Sequence, residues 1–469
     1  MVPHDADALD AIFKAYDIRG TVPEQLDDDL VERIGAAFAR FAADTDGATS
    51  ILVAHDMRPS SPGFADAIAR GATAQGLDVV HLGLASTDLL FWAAGHYDAP
   101  GAMLTASHNP AQYNGVKLCL SGARPVGADT GLAQIKADVV AGLAPTATSG
   151  SVSARDDALA AFVEHVHSFT DIAALSGMKI VADAANGMGG FTAPAVFAGL
   201  PVTLDLLYGE LDGTFPNHPA DPIQPENLVD LQARVLETGA DVGLAFDGDA
   251  DRVFLVDDAG QLVSGSLTTA IVADAMLDAN PGATILHNLI CSKAVPEVVR
   301  EKGGTPVRTR VGHSYIKQVM AETGAAFGGE HSGHYYFRDN YRADSGIIAA
   351  VVVLGVLARA GIPLSQLRTP YERYADSGEI NTVVGEPLAV IEAVAAHFDD
   401  ADQDRLDGLT VDLTTGAAAD PSDRWWFNLR PSNTEPLLRL NLEAADRDAC
   451  DRHVAEVRAL IAEAAGQAG

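Results

Sequence analysis

Cysteine is scarce: Cys119, Cys291 and Cys450 are the only three in 469 residues. They form no C-x-x-C pair and are too few and too dispersed for a disulfide framework, which fits a reducing compartment. Positive charge is scarce too, with 31 Lys and Arg against 64 Asp and Glu, a formal charge of −33. A field of that sign repels nucleic acid and anionic membranes, and neither is expected as a partner. Any anionic ligand would have to be met by cations gathered locally. Long apolar runs are missing as well. The longest, Ile347 to Ala358, falls well short of the roughly 20 residues that span a bilayer and reads as a buried helix. Met1 to Asp10 is acidic and lacks the basic start and apolar centre of a secretory signal. The expectation is a soluble, cytoplasmic protein, monomeric or homodimeric.

What is present is globular: 48% of residues are hydrophobic and 20% charged, an ordinary balance for a folded chain. The length exceeds one core and calls for three or four domains. Three segments share a rhythm of apolar strand, polar loop and helical stretch. Ile51–Ala54 runs into His55-Asp-Met-Arg-Pro59, Lys179–Ala182 into Asp183-Ala-Ala-Asn-Gly187, and Ala283–Leu286 into His287-Asn-Leu-Ile-Cys-Ser-Lys293. Such alternation predicts α/β units with active loops at strand ends. Breaks are expected in the small-residue stretch 141–153, at the turn Asp257-Asp-Ala-Gly260 and around 360–370. Beyond the last break the pattern changes to strands near 425–429 and 437–442 and a final helix from Asp446. The expected fold class is α/β: three similar α/β domains with mixed sheets plus a smaller C-terminal α+β domain around a central cleft. The units run over 1–150, 151–256, 257–369 and 370–469.

The sharpest motif is Asp247-Gly-Asp-Ala-Asp-Arg252, following the apolar strand Val242–Phe246. In extended backbone, carboxylates at i, i+2 and i+4 point to one side and make a hard oxygen cluster. Their mutual repulsion calls for a cation. An EF-hand reading fails, because its sixth position needs Gly and holds Arg252, and its twelfth needs Glu and holds Asp258. Mg²⁺, which keeps positions open for phosphate, suits the set better. The second motif is Thr105-Ala-Ser-His-Asn-Pro110, where Asn-Pro forces a turn and would hold Ser107 at an exposed tip. Taken alone, that serine could cap a turn or serve as a nucleophile, although no G-x-S-x-G elbow surrounds it. Beside a metal-binding carboxylate cluster, it could also carry a phosphoryl group.

The whole set resembles the α-D-phosphohexomutase superfamily, in its phosphomannomutase/phosphoglucomutase branch. The resemblance covers nearly the whole chain, with five motifs in order. They are Tyr16-Asp-Ile-Arg-Gly20, Thr105-Ala-Ser-His-Asn-Pro110, Asp247-Gly-Asp-Ala-Asp-Arg252, Gly328-Gly-Glu-His-Ser-Gly-His334 and Arg430-Pro-Ser-Asn-Thr-Glu-Pro436. The resemblance implies four domains around one cleft. It also implies reversible transfer of phosphoryl between C1 and C6 of mannose or glucose phosphates through phosphoserine, with Mg²⁺ and a hexose 1,6-bisphosphate intermediate that also acts as activator.

Roles implied by the resemblance follow. Ser107 carries the phosphoryl group and, with Asp247, Asp249 and Asp251, completes the metal shell. His108, Lys117, Arg19 and Arg252 surround the transferring group. Lys117 and Arg19 are the expected proton-transfer partners, lysine on condition that neighbouring cations lower its pKa. Glu330 and Ser332 bind sugar hydroxyls, and His334 is structural or hydroxyl-binding. Arg430, Ser432, Asn433 and Thr434 hold the phosphate that does not react. Tyr16 and Lys293 line the substrate site, the lysine on phosphate. His313 assists proton transfer, and Asp344 orients its neighbours. His331 and His334 do not suggest zinc, because no helix aligns them. The nearest rival is a phosphoglucosamine mutase, but His331 stands where the amino-sugar relatives usually carry Gln. The same parts could serve a metal-dependent phosphatase, and outside the enzymes the competing function is a non-catalytic sugar-phosphate sensor.

Overall fold

The computed structural model describes residues 6–415, 420, 423–431 and 437–467, with the side chains of Ala6, Asp7, His313 and Gln467 outside the description. The described strands form four sheets. The first orders Ile18–Thr21, Tyr113–Leu120, Gly101–Leu104, Ser50–His55, Asp78–Leu84 and Val152–Ala154, and Arg124–Pro125 pairs with Tyr113–Leu120. Its centre is parallel, while Tyr113–Leu120 runs antiparallel between Ile18–Thr21 and Gly101–Leu104. The first two motifs therefore share one sheet.

The second sheet orders Leu262–Val263, Val253–Asp257, Val242–Phe246, Lys179–Asp183 and Thr203–Leu207. The turn Asp257–Gly260, expected as a domain break, instead joins two antiparallel strands of this sheet, which continues to Val263. The third orders Thr305–Thr309, Thr284–Asn288, Phe327–Gly329 and Tyr335–Phe337. The fourth is antiparallel throughout: Ala375–Val383, Leu437–Ala444, Trp425–Pro431, Leu409–Asp412 and Asp402–Asp404.

Helix Gly346–Ala360 is apolar on every face over residues 346–355, and that stretch is buried on every face. It supplies Ile347 to Leu354 to a core shared with Leu90 and Trp92 of the first unit and with Phe246 and Leu255 of the second. The first three units are thus welded by common apolar burial, worth about 2 kcal/mol for each large side chain. The C-terminal unit buries its own cluster, including Val411, Phe427, Leu440 and Val457. Trp425 belongs to that core and stacks on His453, with ring centroids 3.9 Å apart. No described helix is long and apolar enough to cross a membrane.

Candidate active site

The fully buried strand Val242–Phe246 delivers the aspartate loop. The three carboxylates converge, with one oxygen from each lying within 4.8 Å of the others. They do so by a route other than the extended backbone expected, because the loop turns and Ala250 adopts a left-handed φ of 61°. All three are at most 2% exposed. Burial pushes the Asp247 carboxyl well above its ordinary range, against the pull of Arg252. Asp249 is buried as well, but Lys117 overcomes that cost and holds it far below the carboxylate range.

Lys117, from strand Tyr113–Leu120, places Nζ 2.7 Å from both Asp249 Oδ2 and Asp251 Oδ2. Burial opposes its charge, yet the two carboxylates prevail and hold the ammonium above its usual range. The condition set for a lysine base, neighbouring cations, is therefore not met; carboxylates are its neighbours. Thr87 donates its hydroxyl to the same Asp249 Oδ2 at 2.5 Å. With these oxygens satisfied, Asp249 Oδ1 and Asp251 Oδ1 remain buried without a hydrogen-bond partner among the described residues. Two orphaned carboxylate oxygens beside Asp247 suit a hard divalent cation, since oxygen ligands select Mg²⁺ or Ca²⁺ over softer metals.

Ser107 lies against this loop. Its Oγ donates to Asp247 Oδ2 at 2.9 Å, across 140 positions of sequence. At 4% exposure it is buried, not at an exposed tip, because the aspartate loop and Arg252 cover it. Its backbone is left-handed, φ 50°, and its amide donates to Thr105 Oγ1 at 3.0 Å. Arg252 donates through Nε to Asp247 Oδ2 at 2.9 Å and through Nη2 to His108 Nδ1. Burial, with Arg252 and Arg19 next in weight, drives the His108 pKa well below the usual value. The ring is therefore neutral, and with Nδ1 accepting from Arg252 the remaining proton sits on Nε2, an available donor. Arg19, on strand Ile18–Thr21, is held by Asn109 and Asp17.

The third unit supplies Glu330, 2% exposed. Its Oε1 accepts from Asn288 Nδ2 at 3.2 Å and the Gly312 amide at 3.1 Å, and its Oε2 from the Tyr336 hydroxyl at 2.7 Å. Ser332 Oγ lies 3.0 Å from His334 Nδ1, and His334 Nε2 lies 3.6 Å from Asp251 Oδ1. Asp344 pairs with Lys317 at 2.7 Å and stands 3.9 Å from His334. The Gly328–His334 loop thus abuts the aspartate loop, an approach fixed by the antiparallel bridge between Arg252 and His334. Tyr16 reaches across from the first unit to donate to the Val311 carbonyl at 3.3 Å, and burial pushes its hydroxyl up to about 12.

Other expected residues meet different partners. The Lys293 ammonium pairs with Asp412 of the fourth unit. Arg430 donates to Glu379 Oε2 at 2.7 Å, while its Nη1 is buried without a partner among the described residues. Ser432, Asn433 and Thr434, together with the His313 side chain, lie outside the described residues. Sequence patterns pointed to no role for Asp56, Arg58, Thr87 or Lys317. For Asp56 and Arg58 the signal was there: two opposite charges two residues apart at the end of a buried strand.

Four family models match in chain order, each for one domain of phosphoglucomutase/phosphomannomutase. They are domain I over residues 10–142, domain II over 160–260, domain III over 264–374 and the C-terminal domain over 379–460. Among curated proteins, a "phosphohexose mutases" protein of Xanthomonas campestris is 39% identical over 436 residues, spanning 92% of this chain and 94% of that one. A phosphomannomutase of Salmonella montevideo is 39% identical over 447 residues with the same shares covered. A crystal structure of a phosphoglucomutase/phosphomannomutase family protein from Burkholderia thailandensis superposes with a TM-score of 0.88 at 34% identity, covering 99% of this chain and 98% of that one.

Proposed function

The chain belongs to the phosphoglucomutase/phosphomannomutase family, and from that membership we propose that it interconverts the 1- and 6-phosphates of mannose and glucose with Ser107 as phosphoryl carrier. The observation that carries this reading is the contact of Ser107 Oγ with Asp247 inside a buried carboxylate triad. It is an isomerase of the mutase type.

In the first half-reaction phospho-Ser107 meets a hexose monophosphate. The phosphorus–Oγ bond breaks, a bond forms to the free sugar hydroxyl, and that hydroxyl's proton is balanced by the proton Ser107 regains. The product is a hexose 1,6-bisphosphate. The sugar then reverses end for end, and its other phosphate returns to Ser107, leaving the isomeric monophosphate. The same bisphosphate, added from outside, primes an unphosphorylated serine and so acts as activator.

Asp247, Asp249 and Asp251 would hold Mg²⁺, which when bound neutralises charge on the phosphoryl oxygens. Arg252 and the Nε2–H of His108 face the transferring group as donors. Lys117 stays charged and aligns Asp249 and Asp251. Glu330 and Ser332 would take hydroxyls of the sugar in either orientation, leaving C2 unread, which suits both mannose and glucose. Arg430, with Ser432, Asn433 and Thr434, would grip the idle phosphate. Tyr16 and Lys293 would close the substrate site, and His313 would assist proton transfer. The fourth unit, with its separate core, is the part free to shift between the two sugar orientations.

The test is turnover of mannose 1-phosphate, glucose 1-phosphate and glucosamine 6-phosphate, with Mg²⁺ and a trace of glucose 1,6-bisphosphate. Wild-type protein should turn over the first two, and Ser107→Ala should lose activity by about 10⁴-fold or more while still binding substrate. Preferred turnover of the amino sugar, release of inorganic phosphate without isomerisation, or full activity of Ser107→Ala would each reject the reading.

A further inference from the structure

We infer that Arg58, oriented by Asp56, is a positioning residue for phosphoryl transfer, holding the Ser107 loop in one geometry whether or not the serine is phosphorylated. The inference rests on the reading of Ser107 as the carrier.

Asp56 and Arg58 follow the strand Ser50–His55 and are 0% and 1% exposed. A buried ion pair is an expensive way to gain stability, because both charges must be desolvated and apolar residues of the same volume often do better. Neither charge reaches solvent. The contacts of the guanidinium show where its donors go. Nη2 donates to the carbonyls of Ser107 at 3.0 Å and Asn109 at 2.7 Å. Nη1 donates to those of Pro110 at 3.0 Å and Tyr113 at 2.8 Å. Nε faces Asp56 Oδ2 at 3.2 Å. Four of the five donors of this side chain therefore end on one loop, and the nucleophile's own carbonyl is among them.

The rest of the cage fixes the arginine. Asp56 Oδ1 accepts from the Arg58 amide at 2.9 Å and from Ser61 Oγ at 2.6 Å. From the second unit, the Phe215 ring lies under the guanidinium, 5.0 Å to its centroid. Gly213 packs so closely that a Cβ there would come within 2.6 Å of the Arg58 Cα. A lysine could not reproduce the arrangement, since one ammonium cannot reach carbonyls spread along a loop as a planar fork does.

The loop needs the support. Ser107 is a non-glycine residue in the left-handed region, a strained conformation that persists only when its surroundings impose it. Each catalytic cycle also adds and removes nearly two negative charges at Oγ. Ligands of the phosphate change with that cycle, but Arg58 holds backbone carbonyls, which do not. Oγ is thereby kept in reach of Asp247 in both states.

The experiment compares wild type, Arg58→Lys, Arg58→Gly and Asp56→Asn. It follows kcat and KM for glucose 1-phosphate, phosphoryl uptake on Ser107 from glucose 1,6-bisphosphate by intact mass, and circular dichroism. Arg58→Lys, folded, should lose about 30- to 100-fold in kcat with KM within about threefold, the signature of a displaced reacting group. Methylguanidinium should raise the kcat of Arg58→Gly at least about tenfold and leave Ser107→Ala untouched, which a general loss of packing would not do. A folded Arg58→Lys within threefold of wild-type kcat, or a native-like Arg58→Gly that methylguanidinium fails to rescue, would overturn the inference. If neither arginine variant folds, Asp56→Asn decides: a kcat about tenfold lower at unchanged KM supports the role, and wild-type kcat refutes it. Absence of phosphoryl uptake by the wild type would instead reject Ser107 as carrier, so the two failures are told apart.

Discussion

Gly248 sits directly beneath the carbonyl of Ser107: a Cβ at Gly248 would come within 2.4 Å of that oxygen. The aspartate loop and the serine loop, from different units, touch at backbone level, and only glycine permits the approach. Gly248→Ala should therefore push the loops apart, and a displacement near 1 Å costs up to about 100-fold in rate. We expect kcat to fall about 10- to 100-fold with a raised Mg²⁺ requirement, measured by turnover across a metal titration. Unchanged kcat and metal dependence would show the contact to be relaxed without consequence.

Asp249 accepts from Lys117 and Thr87 through one oxygen and leaves the other buried, with no hydrogen-bond partner among the described residues. Asp249→Asn keeps the volume of the side chain but removes the charge that a divalent cation needs. Activity should drop at least about 100-fold, as should that of the wild type after chelation, and added Mg²⁺ should restore only the latter. Turnover insensitive to chelation would remove the metal from the scheme.

Glu330 is held by Tyr336, Asn288 and the Gly312 amide, a cage that fixes its orientation. Glu330→Gln keeps the shape and loses the stronger, charge-assisted acceptor, so kcat/KM for both hexose phosphates should fall by about 10- to 100-fold. Phosphoryl uptake on Ser107 from phosphoramidate should be unaffected, because that small donor carries no sugar ring. Equal loss with both donors would move Glu330 out of sugar recognition.

Lys293 is engaged by Asp412 across the boundary between the third and fourth units, and both side chains are partly exposed. If the substrate phosphate competes with Asp412 for this ammonium, Asp412→Asn should lower KM about two- to fivefold at low ionic strength. The gain should shrink as salt is added. A raised or salt-independent KM would mean that the pair organises the site instead of competing with it.

His287, on the third unit's central strand, is buried, and that burial depresses its pKa to about 4. Its folded value lies below the unfolded value near 6.5, so the unfolded chain takes up a proton first as pH falls. The folded state loses stability as pH drops from about 6.5 towards 4, by up to about 3 kcal/mol, and nothing is contributed above pH 7. Denaturation of wild type and His287→Gln between pH 7 and 4.5 should give a shallower slope for the variant. Parallel slopes would locate the acid sensitivity elsewhere.

The α/β rhythm, the order of the motifs and the identity of the carboxylate triad were all readable along the chain. They are local: a buried strand is apolar, a helix buried on every face is apolar throughout, and Asp-Gly-Asp-Ala-Asp brings its own charges together. Folding set what depends on neighbours far away in sequence. Lys117 is a cation because Asp249 and Asp251, over 130 positions on, stand on either side of it. Ser107 is buried because a second unit's loop lies over it, and Lys293 meets Asp412 because the fourth unit docks there. The opposite charges of Asp56 and Arg58 at a strand end were visible in the sequence, but not their destination, since an arginine after a strand looks the same whether it faces water or four carbonyls. The difference is physical: charge type and periodicity are written residue by residue, whereas pKa, exposure and hydrogen-bond partners belong to pairs that only chain closure brings within a few ångströms.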